Sequence, residues 1–152
     1  TYYSGARWSS NSANVYIETT NETLVNAYKE AINTWNATGV FTFNVVSDAS
    51  SADIIATEYS DASSKAAGFA ETETNALTNH ITHVDVKLNT YYLTENDYGY
   101  THNRIVYTAE HELGHAIGLD HDDSEESVMQ SSGSYYGIQD VDIEKVQSLY
   151  AS

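Results

Sequence analysis

The chain has 152 residues, which suits a single core and leaves little room for a second domain. Apolar residues make up 41% of the chain and aromatic residues 12%, so we expect it to fold rather than to remain disordered. Its formal net charge of −16 argues against nucleic acid and anionic membranes as partners, because both bind basic surfaces. We therefore expect one domain over residues 1–152, and a monomer.

The first half of the chain carries the patterns of strands and one amphipathic helix. Residues 14–18 are predicted as a strand, and residues 19–22 (T-T-N-E) resemble a capping box that opens at Thr19. The helix that follows should end near Gly39. Its apolar stripe consists of Leu24, Tyr28, Ala31, Ile32 and Trp35. Further strands are predicted at residues 41–45, 53–56, 68–71 (an edge strand) and 83–88.

The second half is predicted to be mainly helical. Residues 91–103 are polar and rich in tyrosine, so we expect a loop there. A helix should follow, with four residues facing the core: Ile105, Ala109, Leu113 and Ala116. A last helix is predicted from about residue 140 to residue 150. This order of elements indicates an α+β fold.

Residues 111–121 read H-E-L-G-H-A-I-G-L-D-H and match the pattern H-E-x-x-H-x-x-G-x-x-H. On a helix, His111 and His115 lie about 40° apart and one turn on, so both imidazoles can reach one metal ion. Glu112 lies roughly 100° round from His111, which suits a base beside a metal-bound water better than a ligand. The pattern indicates a zinc site with its general base.

The third histidine requires the helix to stop. In a continued helix, His121 would lie roughly 9 Å further along and about 240° round from His115, too far to share the ion. Gly118 can adopt a positive φ at a helix end, so we expect the chain to turn back there. Three neutral imidazoles leave a fourth zinc position open, which is typical of a catalytic site. We predict one catalytic zinc held by His111, His115 and His121.

Such a site predicts a zinc-dependent endopeptidase. Zinc lowers the pKa of a bound water towards ~7, and Glu112 is expected to take the proton as that water attacks a peptide carbonyl. Protonated Glu112 can then pass the proton to the leaving amine. The alternative is a zinc-holding module that binds peptide or glycan without turnover. Glu112 favours the enzyme, because binding needs no base beside the metal.

Residues 108–121 and the segment that follows resemble the metzincin metallopeptidases, and the chain is most similar to a small, bacterial-type matrixin catalytic domain. Ser127, Val128 and Met129 follow His121 at the distance at which that family places its Met-turn. The resemblance implies that Met129 forms an apolar floor beneath the zinc. It also implies a mixed twisted sheet with two long helices above the zinc cleft. A small lower subdomain would contain the Met-turn and the C-terminal helix.

The mechanism requires a place for an extended protein or peptide substrate. We expect it along the edge strand at Gly68, Phe69 and Ala70, because main-chain pairing holds any sequence in register. The chain around residues 133–137 should shape the pocket just after the scissile bond. Tyr135 and Tyr136 are candidates to line that pocket, although in a chain with thirteen tyrosines a place in the core is an equal alternative.

The sequence shows no signal peptide and no long apolar run. The zinc-blocking pro-segment of matrixins is also not seen. We therefore expect a processed, secreted enzyme that acts outside the cell. The chain has no cysteine, so neither a disulfide frame nor a thiolate site is available.

Two other groups of residues are candidate metal ligands. Asp122 stands where matrixins usually have serine, and it opens an acidic run of Asp122, Asp123, Glu125 and Glu126. These oxygens suit calcium, but the run lacks an EF-hand pattern, so a solvated acidic loop is favoured. His83 and Asp85 share a strand face near the place where matrixins have a structural-zinc histidine. The upstream His-x-Asp partner is absent, so surface histidines are the favoured interpretation.

Overall fold

The computed structural model describes residues 7–63, 67–95, 99–119, 121–130 and 135–150. The strands are β1 (Ser12–Ile17), β2 (Thr42–Val45), β3 (Ile54–Tyr59), β4 (Gly68–Thr74) and β5 (Ile81–Asn89). The α-helices are α1 (Glu22–Ala37), α2 (His102–Ile117) and α3 (Asp140–Leu149). A short 3₁₀ turn spans Ala49–Ser51, and a π-helix spans Tyr91–Glu95. The α+β class predicted from the sequence is confirmed.

The five strands form one mixed sheet in the order β2-β1-β3-β5-β4. The first four of these strands pair in parallel, whereas β4 runs antiparallel to β5. Because β4 is last in the order, the edge strand predicted at residues 68–71 is confirmed, although the strand continues to Thr74. Its first three residues are half-buried, and those from Glu71 onward are exposed.

Helix α1 connects the sheet to the second long helix. All five residues of its predicted apolar stripe are buried. The Tyr28 hydroxyl donates to the carbonyl of Thr57 on β3 at 2.6 Å. The Trp35 indole donates to the carbonyl of Glu110 on α2 at 3.1 Å. Helix α1 therefore fixes α2 relative to the sheet, and α2 also packs against β4 and β5.

The start of α1 differs from the prediction. The N-cap is Asn21, not Thr19, and the Asn21 Oδ1 accepts hydrogen bonds from the backbone N–H groups of Thr23 and Leu24. Thr19 Oγ1 accepts instead from the N–H of Asn21, which fixes the turn before the helix. Asparagine caps helices at least as well as threonine, so the T-x-x-E spacing alone did not identify the cap.

The segment 91–103 is also more helical than predicted. Tyr91–Glu95 forms a π-helix, and α2 begins at His102. Asn89 Oδ1 holds the entry by accepting from the N–H groups of Asp61 and Tyr91. Residues 96–98 of the predicted loop lie outside the described residues. Local hydrogen bonds of this kind have no signature in hydrophobic periodicity.

Side chains near both ends of the described chain bind the last carbonyl groups of α2. The Trp8 indole donates to the Ala116 carbonyl at 2.8 Å, and the Tyr150 hydroxyl donates to the Ile117 carbonyl at 2.7 Å. Carbonyls in the last turn of a helix lack intrahelical partners. These two bonds therefore fix the point at which α2 ends, immediately before Gly118.

We expect Trp8→Phe to lower the free energy of unfolding by about 1–3 kcal/mol, because the Ala116 carbonyl loses a buried donor. Tyr16→Phe is the control, since the Tyr16 hydroxyl bonds to no residue that the structure describes. Urea unfolding followed by circular dichroism measures both variants. A Trp8→Phe variant as stable as the parent would show that the indole does not hold the end of α2.

Candidate metal centre

Three imidazoles converge beside the C-terminal half of α2. His111 and His115 lie on consecutive turns, and their Nε2 atoms are 3.2 Å apart. His121 comes from the segment after the helix, and one nitrogen from each of the three rings lies within 4.8 Å of the others. His111 is buried, His115 is half-buried and His121 is exposed. The three rings therefore extend from the core to the surface of the protein.

The turn at Gly118 makes this convergence possible. Gly118 has a φ of 126°, a conformation that side chains disfavour. Its N–H donates to the carbonyls of Gly114 and His115, and the N–H of Leu119 also bonds to Gly114. These bonds end the helix as the sequence predicted, and the chain returns so that His121 faces the other two rings.

Backbone carbonyls orient two of the three rings. Nδ1 of His111 lies 2.8 Å from the Val128 carbonyl, and Nδ1 of His115 lies 2.8 Å from the Leu119 carbonyl. Because a carbonyl can only accept, Nδ1 must be the protonated donor in each ring. The Nε2 lone pairs are then directed at the centre of the group, which is the tautomer that a metal requires.

The electrostatics of the group also suit a cation. Burial, together with the neighbouring His115, lowers the pKa of His111 to about 3, so this ring is neutral at pH 7. Zinc binds imidazole nitrogen at about 2.0–2.1 Å in tetrahedral geometry, which separates two ligands by about 3.3 Å. The 3.2 Å between the Nε2 atoms of His111 and His115 matches that spacing. These residues therefore fit a zinc ion.

Glu112 directly follows His111 in α2 and lies in a closed environment. It is only 4% exposed, and its Oε1 has no hydrogen-bond partner among the described residues. Burial raises the pKa of Glu112 to about 8. A carboxyl group that is buried without a partner is costly to the fold, and such groups are concentrated at functional sites.

Gly68, at the start of the edge strand, leaves space for that carboxyl group. A Cβ at this position would lie 3.2 Å from Glu112 Oε2 and 2.8 Å from the Lys87 carbonyl oxygen. The next residue, Phe69, packs edge-on against Tyr59, and Ala70 packs against the core. The predicted substrate strand and the predicted base are therefore in contact range.

Met129 packs against α2 and is 1% exposed. Its sulfur approaches Gly114 so closely that a Cβ there would clash with it. The turn that contains Met129 is held from below by Asp142 of α3, which accepts hydrogen bonds from the Ser127 hydroxyl and from the N–H groups of Val128 and Gln139. Through the Val128 carbonyl, this support reaches His111.

The predicted pocket wall is only partly described, because residues 131–134 lie outside the described residues. Tyr135 is 63% exposed, and its ring centroid lies 4.6 Å from the Arg104 guanidinium carbon. Arg104 also stacks on Tyr100 at 4.3 Å. Tyr136 is half-buried. Tyr135 thus packs against the first turn of α2, and Tyr136 lies next to it in sequence.

The described residues contain no second group of histidine and acidic side chains that meets the geometry of a metal site. His83 and Asp85 do share a face of β5, where His83 Nε2 lies 2.9 Å from Asp85 Oδ1. Among the members of the acidic run, Asp123, Glu125 and Glu126 are exposed. The expectation of a solvated loop was wrong for Asp122, which is buried against Lys145.

The buried pairing of Asp122 is one of two contacts from α3 that the sequence did not reveal. Burial opposes ionisation of Asp122, but hydrogen bonds from Lys145 and Ser124 outweigh that effect and lower its pKa. The other contact is that of Asp142 with the Met129 turn. In the sequence, Asp142 and Lys145 are polar residues in the same predicted helix as the apolar Val146, and this pattern does not identify their partners.

The sequence of the chain matches a known protein family. The matrixin family model matches residues 7–151, which is nearly the whole chain. The chain belongs to the matrixin family. No curated protein matches the chain significantly. Matrixins are zinc metallopeptidases, and the described part of this chain contains a group of three histidines that could hold a metal ion.

We expect Gly118→Val to lose both stability and zinc, because a β-branched residue is strained at positive φ and would displace His121. Gly39→Val is the matched control, since Gly39 has a φ of 74° and open space around it but lies far from the histidines in the chain. The control should lose stability by about 1–3 kcal/mol and keep its zinc. Zinc content after dialysis and urea unfolding measure both effects. A Gly118→Val variant with normal zinc would contradict the assigned role of the turn.

Proposed function

We propose that this matrixin is a secreted zinc endopeptidase that hydrolyses peptide bonds in extended protein substrates. The observation that carries the proposal is the buried Glu112 carboxyl group, which has no described partner and directly follows His111, one of the three converging imidazoles. A protein that only bound zinc would have no use for an unsatisfied carboxyl group beside it. An endopeptidase needs that group as its base.

His111, His115 and His121 are the proposed zinc ligands. When bound, zinc acidifies a water molecule towards a pKa of ~7 and polarises the scissile carbonyl group. The Nδ1 hydrogen bonds of His111 and His115 keep both rings in the ligand tautomer throughout. Met129, buried beneath Gly114, is the proposed apolar floor of the site.

Glu112 is the proposed general base and acid. Its Oε1 has no competing described donor, so it is available to accept the proton of the attacking water. Protonated Glu112 would then pass this proton to the leaving amine. Gly68 keeps the carboxyl group free of steric contact with the edge strand.

The proposed substrate position is the outer edge of β4. This strand is last in the sheet and begins beside Glu112, so a peptide paired with it would pass the three histidines. Backbone groups of Gly68, Phe69 and Ala70 would bind the substrate main chain. Tyr135 and Tyr136 are the proposed wall of the pocket after the scissile bond, where Tyr135 is held by Arg104.

The proposal also covers where the enzyme acts and which molecules it binds. Matrixins typically act outside the cell, and we propose the same for this member. Within the described portions of the chain, no helix is long and apolar enough to cross a membrane. With a net charge of −16, we propose proteins and peptides as partners rather than nucleic acid.

We expect the zinc-loaded chain to cleave members of a diverse peptide library, and o-phenanthroline to abolish cleavage. Glu112→Ala should retain zinc and the fold while kcat/KM falls by about 10²–10⁴-fold, because the base is lost and no ligand is changed. Glu144→Ala removes an exposed carboxylate on α3 and is the control. Mass spectrometry of the cleaved library gives the rates.

Two outcomes would contradict the proposal. Zinc-loaded chain that leaves the whole library intact would indicate a binding module without turnover. Glu112→Ala with a near-normal rate would show that a different group acts as the base.

A further inference from the structure

The ring of His121 is not held by a described backbone carbonyl, unlike the rings of the other two histidines. Nδ1 of His111 and Nδ1 of His115 each bond to a backbone carbonyl. The ring of His121 makes no hydrogen bond within the part of the chain that the structure describes, and it packs against the other two rings, with centroids 5.2 and 4.8 Å away. Its position must therefore come from its backbone.

The backbone at His121 is held by the residue that follows it. The N–H of Asp122 donates to the Met129 carbonyl at 2.8 Å, which closes the loop of residues 122–129 on the Met129 turn. Asp122 Oδ1 accepts from the N–H and the hydroxyl of Ser124. Asp122 Oδ2 accepts from Nζ of Lys145 on α3. One side chain thus connects the third histidine to the last helix.

The contact between Asp122 and Lys145 is an ion pair within the protein interior. The two side chains are 2% and 8% exposed, and Lys145 is the one cation with a buried side chain among the described residues. A buried carboxylate whose partner is removed is strongly unfavourable. Without Lys145, Asp122 would turn towards solvent, as Asp123, Glu125 and Glu126 do, and would draw the adjoining backbone with it.

We infer that the Asp122–Lys145 ion pair positions His121 and thereby sets the zinc affinity and the ligand geometry of the centre. The inference rests on the proposed zinc site, but not on peptidase activity. Asp122 and Lys145 are positioning residues, because each acts through His121 and neither contacts the metal. The pair makes α3, which follows His121 by nineteen positions, part of the metal centre.

The test separates positioning of His121 from a general contribution to stability. Lys145→Met keeps much of the aliphatic stem and removes the charge, and Asp122→Asn removes the opposite charge. The double variant Asp122→Asn with Lys145→Met has no uncompensated buried charge, so it should recover most of the stability that either single variant loses. Lys29→Met, which removes an exposed charge on α1, is the control.

Zinc affinity is measured with zinc alone, by competition with a chromophoric chelator, and cobalt absorption reports the ligand geometry. We expect both single variants and the double variant to bind zinc about 10–100-fold more weakly than the parent. Their cobalt spectra should be altered, whereas Lys29→Met should match the parent. A folded double variant with parental zinc affinity and cobalt spectrum would overturn the inference.

The two proposals fail in different ways. A parent chain that binds zinc but cleaves no peptide refutes the endopeptidase and leaves the affinities of the variants to decide this inference. A parent chain that binds no zinc overturns both.

Discussion

Three imidazoles must meet at one point, and a single helix can supply only two of them. His111 and His115 come from consecutive turns of α2, whereas a third ligand requires the chain to reverse within a few residues. Gly118, with a φ of 126°, is the position where that reversal occurs. The remaining parts of the structure can be understood as supports on either side of this turn. The indole of Trp8 and the hydroxyl of Tyr150 hold the end of the helix before it, and the Met129 turn and α3 hold the chain after it.

The lower part of the molecule acts on the histidines through the backbone. Asp142 binds the Ser127–Met129 turn, and the Val128 carbonyl of that turn orients His111. Asp122 binds Lys145 and lies directly after His121. Helix α3 is therefore more than a covering element, because its two buried polar side chains contact the turn that orients His111 and the residue that follows His121. Polar groups that are buried and fully paired specify one arrangement where apolar packing would tolerate several.

The sequence predicted those features that depend on local spacing. The turns of α2, the break at Gly118 and the approach of His121 follow from eleven consecutive residues. Contacts between residues distant in sequence could not be predicted in this way. Lys145 lies 23 positions from Asp122 in the sequence. A lysine next to an apolar residue in a helix does not indicate which carboxylate it will bind. The same limit applies to the Asn21 cap and to the π-helix at Tyr91–Glu95. In both places, hydrogen bonds of a single side chain determine where the helix begins.

We propose that three histidines of this chain hold zinc and leave a fourth position open to water and substrate. Crystals of the zinc-loaded chain, with anomalous scattering recorded at the zinc edge, test it most directly. We expect one strong peak within bonding distance of imidazole nitrogens of His111, His115 and His121, with a non-protein ligand in the fourth position and Glu112 beside it but not bound. A peak from which His121 is turned away, or a carboxylate of the chain in the fourth position, would contradict it.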